Sequence, residues 1–298
     1  MINELISWPY IFGKRVFSID LYRELIDEIL ALKDNNSARL EYMFHDFFLL
    51  CPHLNLVGMN RAYCNPGRSA APCAGCIAVR RHYEKTERYI GTITGELWRD
   101  AMRRLIANLD EIRFFSQNSI DVFRQVYELD ERRINLVPHK PVVEFEPMRF
   151  RGGPVRIGCV GAVGEVKGAG FIVELAKYLK THAPDAKIVV IGIIDAKYLP
   201  DNVVVHGEYD LPDLPGLFER YGVNVGFISS IWPETFSYVA QELMMLDLPL
   251  VCFDIGAPRD RIGKWEKGRI IPEMTPESAW ATISDLYRTY YQDAGHGK

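Results

Sequence analysis

The sequence contains no apolar run of transmembrane length, so a helical membrane span is not expected. Its first residues show no cationic segment ahead of an apolar core, and Glu4 comes early, so no signal peptide is expected either. No low-complexity tract and no internal repeat is found, which argues against a repeat array. Charge of either sign is scarce in the balance: the net value is -4, and nothing global points to nucleic acid. Cysteine is also sparse, six residues in 298, but four of the six fall between Cys51 and Cys76. What remains is an ordinary soluble composition, 25% charged and 48% hydrophobic, long enough for two domains. The expected location is the cytoplasm, with the inner face of the membrane left open.

The halves differ in regularity. In the first, Leu21, Leu25, Ile29 and Leu32 line one face of an expected helix over 19–32. Short strands are expected over 40–44, 112–115 and 134–137, and helices over 97–109 and 119–127. An irregular stretch rich in Asn, Gly, Pro and Cys runs from Cys51 to about Glu87, and a loop of that length needs something to hold it. Three prolines and two consecutive glycines from Pro141 to Pro154 read as a linker. The expected division is therefore a domain over 1–140, a linker over 141–154 and a domain over 155–298.

The second half alternates cleanly. Strands are expected over 155–160, 187–191, 203–206, 225–228 and 250–253, and helices over 171–180, 214–221, 236–246 and 278–291. That alternation predicts a doubly wound parallel sheet. The stretch from Ser229 to Glu242 organises it: a buried strand, a polar loop, then a helix. This places Glu234 at the carboxyl edge of the sheet and Glu242 one to two turns into the helix. Ligands of open α/β sheets bind at that edge, where carboxylates can hold hydroxyl groups. Solvated surface acids are the alternative reading.

A second turn has chemistry of its own. The first strand runs into Gly161-Ala162-Val163-Gly164-Glu165-Val166-Lys167-Gly168 and then a helix. Gly161 and Gly164 let backbone approach a ligand, helix amides attract anions, and Lys167 adds a full charge. No Ser or Thr follows the lysine, so this is not a nucleoside-triphosphatase loop, and the third glycine of a dinucleotide fingerprint is missing. Taken with Glu234 and Glu242, the turn suggests a phosphate ester linked to a nucleotide and a polyhydroxylated group.

These segments resemble the retaining GT-B glycosyltransferases, which transfer sugar from a nucleotide sugar. The resemblance rests on Glu234 and Glu242 separated by seven residues, on Gly161 to Gly168, and on Asp254-Ile255-Gly256-Ala257. It implies an α/β, GT-B-like architecture of two Rossmann-like domains, the amino-terminal one here reduced or truncated. It implies that Glu234 binds hydroxyls of the transferred sugar, that Glu242 binds the ribose, and that Lys167 holds the diphosphate. Phe236 and Ser237 belong with the donor site on the same ground. Many members carry an arginine where this chain has Ala162, and Arg261 is the candidate to compensate. The amino half resembles a bacterial subset with His45-Asp46, aromatic residues, Cys51-Pro52, three further cysteines and Trp98-Arg99. That likeness gives His45 a role against the sugar or its phosphate when the two domains close over the donor; a satisfied structural histidine is the alternative.

Cys51, Cys64, Cys73 and Cys76 are separated by 12, 8 and 2 residues. The last pair is a short knuckle of the kind that forms half of a tetrahedral thiolate site, and structural zinc is the preferred expectation. Four free thiols, two disulfides and an iron–sulfur cluster are the alternatives. Arg80, Arg81, Lys85 and Arg88 form a basic run, either a solvated face or contact with an anionic acceptor at a membrane surface.

Three functions compete: a transferase acting on a glycan or lipid-linked saccharide acceptor, a non-catalytic module that binds sugar nucleotides or glycans, and a nicotinamide-dependent oxidoreductase. Against the last, Ile191 leads into Gly192-Ile193-Ile194 with no acidic residue closing the second strand, so no NAD is expected. The base, sugar, acceptor and oligomeric state are not legible.

Overall fold

The computed structural model describes residues 18–67, 73, 75–77 and 93–292. The basic run from Arg80 to Arg88 lies outside the described residues. The chain forms two compact units, Met1–His139 and Lys140–Lys298.

The first unit holds a parallel sheet in the order β1-β2-β3, formed by Glu41–Phe44, Glu111–Phe114 and Ile134–Leu136. Helix α1 (Ile19–Asn35) starts where the Ser18 hydroxyl accepts the Leu21 amide at 3.2 Å. Helix α2 (Gly95–Ala107) starts the same way on Thr94, and α3 (Gln117–Arg124) on Ser116. Trp98 of α2 is fully buried between Tyr22 and Phe48, with ring centres 4.9 and 4.8 Å away. Its indole N–H donates to the Phe48 carbonyl at 2.7 Å, so the ring brings no unsatisfied donor into the core.

The second unit is a six-stranded parallel sheet. Its elements are β4 (Arg156–Val163), α4 (Ala169–His182), β5 (Lys187–Ile194), β6 (Val203–Gly207), α5 (Leu214–Tyr221) and β7 (Val225–Ile228). Then follow α6 (Tyr238–Met245), β8 (Leu250–Phe253), α7 (Gly256–Ile262), β9 (Gly268–Ile271) and α8 (Pro276–Tyr291). The spatial order is β6-β5-β4-β7-β8-β9, the doubly wound order in which the chain reverses direction between β4 and β7. Strands β7 and β8 are buried along their whole length, as expected where helices cover both faces.

Three differences from the expected elements have local causes. Strand β4 runs on to Val163, through the expected glycine loop, because β5 continues beside it and Gly161 pairs with Gly192. Helix α6 starts at Tyr238 rather than Phe236, because Ser237 takes φ +70° and caps it, its hydroxyl accepting the Ala240 amide. The segment expected as a linker lies along the second unit: the Met148 amide donates to Leu246 and the Gly153 amide to the Tyr287 hydroxyl. Elements α7 and β9 were not expected; both are short, and Gly and Lys dominate the sequence between them.

The approach of β4 and β5 is tight enough to test. Gly192 has φ +125°, and a Cβ there would lie 2.1 Å from the Gly161 carbonyl oxygen. Gly192→Ala should lower stability by about 3 kcal/mol, the upper range for overpacking a core. Gly216, inside α5 with open space around it, is the control. Gly216→Ala should raise stability by roughly 0.5–1 kcal/mol. Urea unfolding of both variants reads the contrast; equal midpoints would contradict the register of β4 on β5.

Candidate functional site

The reversal between β4 and β7 opens a crevice at the carboxyl ends of those strands, the usual ligand position in such sheets. A cavity of about 70 Å³ lies there, lined by the end of β4, Lys167, Ser229, Ser230, Glu234 and Ser237. The turn after β4 is built by amide bonds back to Gly164: Lys167 N–H and Ala169 N–H both donate to its carbonyl at 3.1 Å. Gly168 then caps α4 with φ +86°, and a Cβ at this position would lie 2.0 Å from the Ser229 carbonyl oxygen. Only glycine permits the turn after β4 to lie against the loop after β7. The Ser229 hydroxyl donates to the Lys167 carbonyl at 2.7 Å, and the Ile231 amide to the Val166 carbonyl at 2.9 Å.

Those contacts deliver Lys167 to Glu234. The ammonium is 2.8 Å from Oε1 of a carboxylate whose side chain is 4% exposed, while the lysine side chain is 38% exposed. The Ser230 hydroxyl donates to the same oxygen. A carboxylate so far from water requires such partners. Lysine has three N–H donors, and Glu234 takes one of them, so the ammonium can hold a second anion at the open side. The backbone of Glu234 is fixed as well: its carbonyl accepts the Ala257 amide at 2.8 Å, at the start of α7. This is where Asp254 to Ala257 touches the site.

The remaining candidates surround this pair. Gly161, Lys167, Glu234 and Ser237 line one cavity; Gly164, Phe236, Glu242 and Arg261 lie outside its lining. Arg261 points at the loop itself, donating to the Phe236 and Ser237 carbonyls at 3.4 and 3.3 Å and to the Gln241 amide oxygen. Its guanidinium lies 4.7 Å from the Phe236 ring centre. Partial burial lowers its pKa. In this geometry Arg261 braces the loop that carries Ser237. Glu242 is 9% exposed on α6, and burial raises its pKa above the ordinary glutamate value. Ser230 was passed over as a functional residue; a hydroxyl four residues before a loop glutamate was the available signal.

His45 belongs to the first unit. Its Nδ1 is 3.0 Å from the Met43 carbonyl oxygen and its Nε2 is 3.3 Å from Asp46 Oδ2. The four cysteines line a single cavity of about 370 Å³ in the same unit. The expected structural zinc is not supported: among the described residues, no three His, Cys, Asp or Glu side chains are grouped to hold a metal ion. Such an ion needs four sulfurs within about 2.3 Å of one point. No described helix is long and apolar enough to cross a membrane.

The order of the large sheet, its glycine turn and the charged pair at its switch point define an α/β fold of the GT-B kind, with two Rossmann-like units and a smaller first sheet. The family model for glycosyl transferases group 1 matches residues 144–293, and the chain belongs to that family. No curated protein matches the chain. Among solved structures, it is similar to HepE of Anabaena in complex with UDP-glucose, at 13% identity and TM-score 0.56, over 92% of this chain and 68% of that one. It is similar to TarM at 15% identity and TM-score 0.53, over 64% of this chain and 39% of that one. Sucrose-phosphate synthase of Thermosynechococcus elongatus gives 18% identity and TM-score 0.52, over 64% and 52%. At these identities the likeness is one of fold, and the chain spans well under half the length of TarM.

Burial of Glu242 has a pH signature. Its folded pKa is raised, so the native state holds the proton more tightly than the unfolded chain. That contribution is full below the ordinary glutamate range and is lost as pH rises through the folded value. Glu242→Gln should therefore unfold at higher urea than the parent at pH 7, and the gap should close toward pH 4. Equal midpoints at pH 7 would mean that the carboxylate is fully compensated in solution.

Proposed function

We propose that this chain transfers a sugar from a nucleotide-diphosphate sugar to a glycan or lipid-linked acceptor, with retention of anomeric configuration. The observation that carries the reading is the Lys167–Glu234 pair at the switch point of a group 1 glycosyl transferase domain. HepE was solved with UDP-glucose, and S. aureus TarM with UDP, alpha-GlcNAc-glycerol and fondaparinux, which supports a nucleotide-sugar donor on this fold.

The reaction makes two electrical demands. Negative charge on the departing diphosphate must be stabilised, and the sugar must be held with its electron-poor carbon toward the acceptor. Lys167, on the turn after β4, meets the first by a charge already in place before reaction. Glu234 meets the second by accepting hydrogen bonds from sugar hydroxyls, its position held by Lys167 and Ser230. Glu242 anchors the ribose, with Phe236 and Ser237 completing the donor loop. Arg261 acts through that loop by bracing it. His45 is assigned to the sugar or its phosphate on the resemblance. No covalent nucleophile is assigned; the leaving diphosphate itself can accept the proton of the acceptor hydroxyl. Residues 155–298 are the donor domain and 1–140 the acceptor side in this scheme.

Lys167→Ala should cut turnover by roughly 10²-fold or more, the scale of losing one transition-state donor. Glu242→Ala should mainly raise the donor KM. Both constants are read from donor turnover with acceptor present, after thermal melts establish that each variant is folded. Unchanged turnover in Lys167→Ala would overturn the phosphate assignment. Tight binding of a sugar nucleotide by the parent chain, without transfer or hydrolysis, would make it a binding module.

A further inference from the structure

The first sheet has a carboxyl edge of its own, and three rings stand along it. His45 comes directly after β1, Phe115 directly after β2, and His139 three residues after β3. The register pairs Phe44 with Phe114, so His45 and Phe115 stand side by side where their strands end. The Val137 amide donates to the Phe114 carbonyl at 2.8 Å, which holds the third segment against β2 one residue past its own strand. The His139 ring then lies on the Phe115 ring, with centres 3.8 Å apart and planes 22° from parallel. Phe115 is a fixed platform: it is buried, and the next residue, Ser116, caps α3.

His45 is held by its own strand end. The Met43 carbonyl accepts from the His45 amide and from its Nδ1, each at 3.0 Å. Its Nε2 lies 3.3 Å from Asp46 Oδ2, and Asp46 Oδ1 accepts the Phe48 amide at 2.9 Å. Ring and carboxylate are thus each tied to backbone. Both histidines are half-buried. Burial and the nearby His45 imidazole lower the His139 pKa, so His139 is the ring that stays neutral when His45 takes a proton. The other titratable groups at this edge are Asp46, Tyr42 and Lys140. Burial and Asp46 hold the Tyr42 phenol well above its usual range, and Lys140 is exposed and follows His139 in the chain.

Stacking on Phe115 calls only for a flat ring. The second imidazole within electrostatic reach of the first is the additional feature. A fixed cation there would oppose a proton on His45, and an uncharged ring does not. We propose that His139 is a positioning residue for His45: stacked on Phe115, it closes this edge with an uncharged ring, so that His45 keeps its place against Met43 and Asp46 and is the imidazole that carries charge there. This rests on the transferase reading, in which His45 meets the sugar or its phosphate. Oxygens of either accept hydrogen bonds, which suits a protonated ring. No proton passes to His139.

The test compares His139→Ala, His139→Phe and His139→Lys in the full chain, by thermal melts, donor turnover and NMR titration of the histidine rings. His139→Ala removes the stacked ring and should lower kcat on the order of 10- to 100-fold, with donor KM little changed. His139→Phe restores an uncharged ring and should recover most of that loss. His139→Lys should lower the pH at which His45 titrates by roughly half a unit or more relative to His139→Phe. The alkaline fall in turnover should move down with it, because the charged form of His45 is then lost at a lower pH. Equal His45 midpoints in the two folded variants would overturn the proposal. So would a His139→Phe variant as slow as His139→Ala, since the imidazole itself would then be required. If His139→Lys does not fold, His45→Gln supplies the comparison: His139 should titrate at a higher pH there than in the parent, and an unchanged midpoint would overturn the proposal. A parent chain without transfer or hydrolysis would end the transferase reading, and the ring titrations would still decide whether the two imidazoles are coupled.

Discussion

A glutamate carboxylate with almost no exposure to water must be compensated where it stands, and the second unit is arranged around that requirement. Glu234 obtains its compensation from Lys167 and Ser230. To bring the lysine there, the turn after β4 must lie on the loop after β7, and the Gly168–Ser229 approach leaves no room for a side chain. The register of β4 on β5 carries the strand far enough for that turn to begin at the sheet edge. Removing any of these features would leave a buried carboxylate short of a partner, which costs several kcal/mol. Stability and ligand binding thus draw on the same contacts. The lysine keeps donors for an anion while remaining the partner of the carboxylate.

The loop from Phe236 to Gln241 shows the same economy in a different form. Ser237 takes a backbone conformation that L-residues seldom adopt and that costs on the order of 1–3 kcal/mol. Its hydroxyl caps α6, and Arg261 holds the neighbouring carbonyls. Strain of this kind persists only where surrounding contacts over-determine it. Here it places Ser237 on the lining of the crevice and fixes the entry of the helix that carries Glu242.

In the first unit the problem is different. The stretch after Leu50 is irregular, and Trp98, Arg99 and Tyr127 hold the carbonyls of Phe48, Leu49 and Leu50 that lead into it. Leu54, Leu56 and Arg61 all have positive φ, so the loop is not held by regular pairing. The four cysteines beside this loop line one cavity.

Much of the second unit was legible in the chain. Apolar runs such as Val225 to Ile228, short and alternating with longer helical stretches, read as buried parallel strands, because both faces of each are apolar. The glycine turn, Lys167 and Glu234 could be named from residue type and position after a strand. Tertiary structure alone decided that Lys167 and Glu234, 67 residues apart, are each other's partner. It alone decided that Gly161 stays in the strand, since pairing with Gly192 is a property of two segments at once. It turned Arg261 onto Phe236 and Gln241, because a half-buried guanidinium binds the nearest carbonyl oxygens that the fold supplies. It also left the four cysteines lining one cavity with no three of the described side chains grouped on an ion, where spacing had suggested one tetrahedral site. Local sequence fixes which groups are present and which element carries them. Distances between groups far apart in the chain depend on how whole elements pack, and no local pattern encodes that.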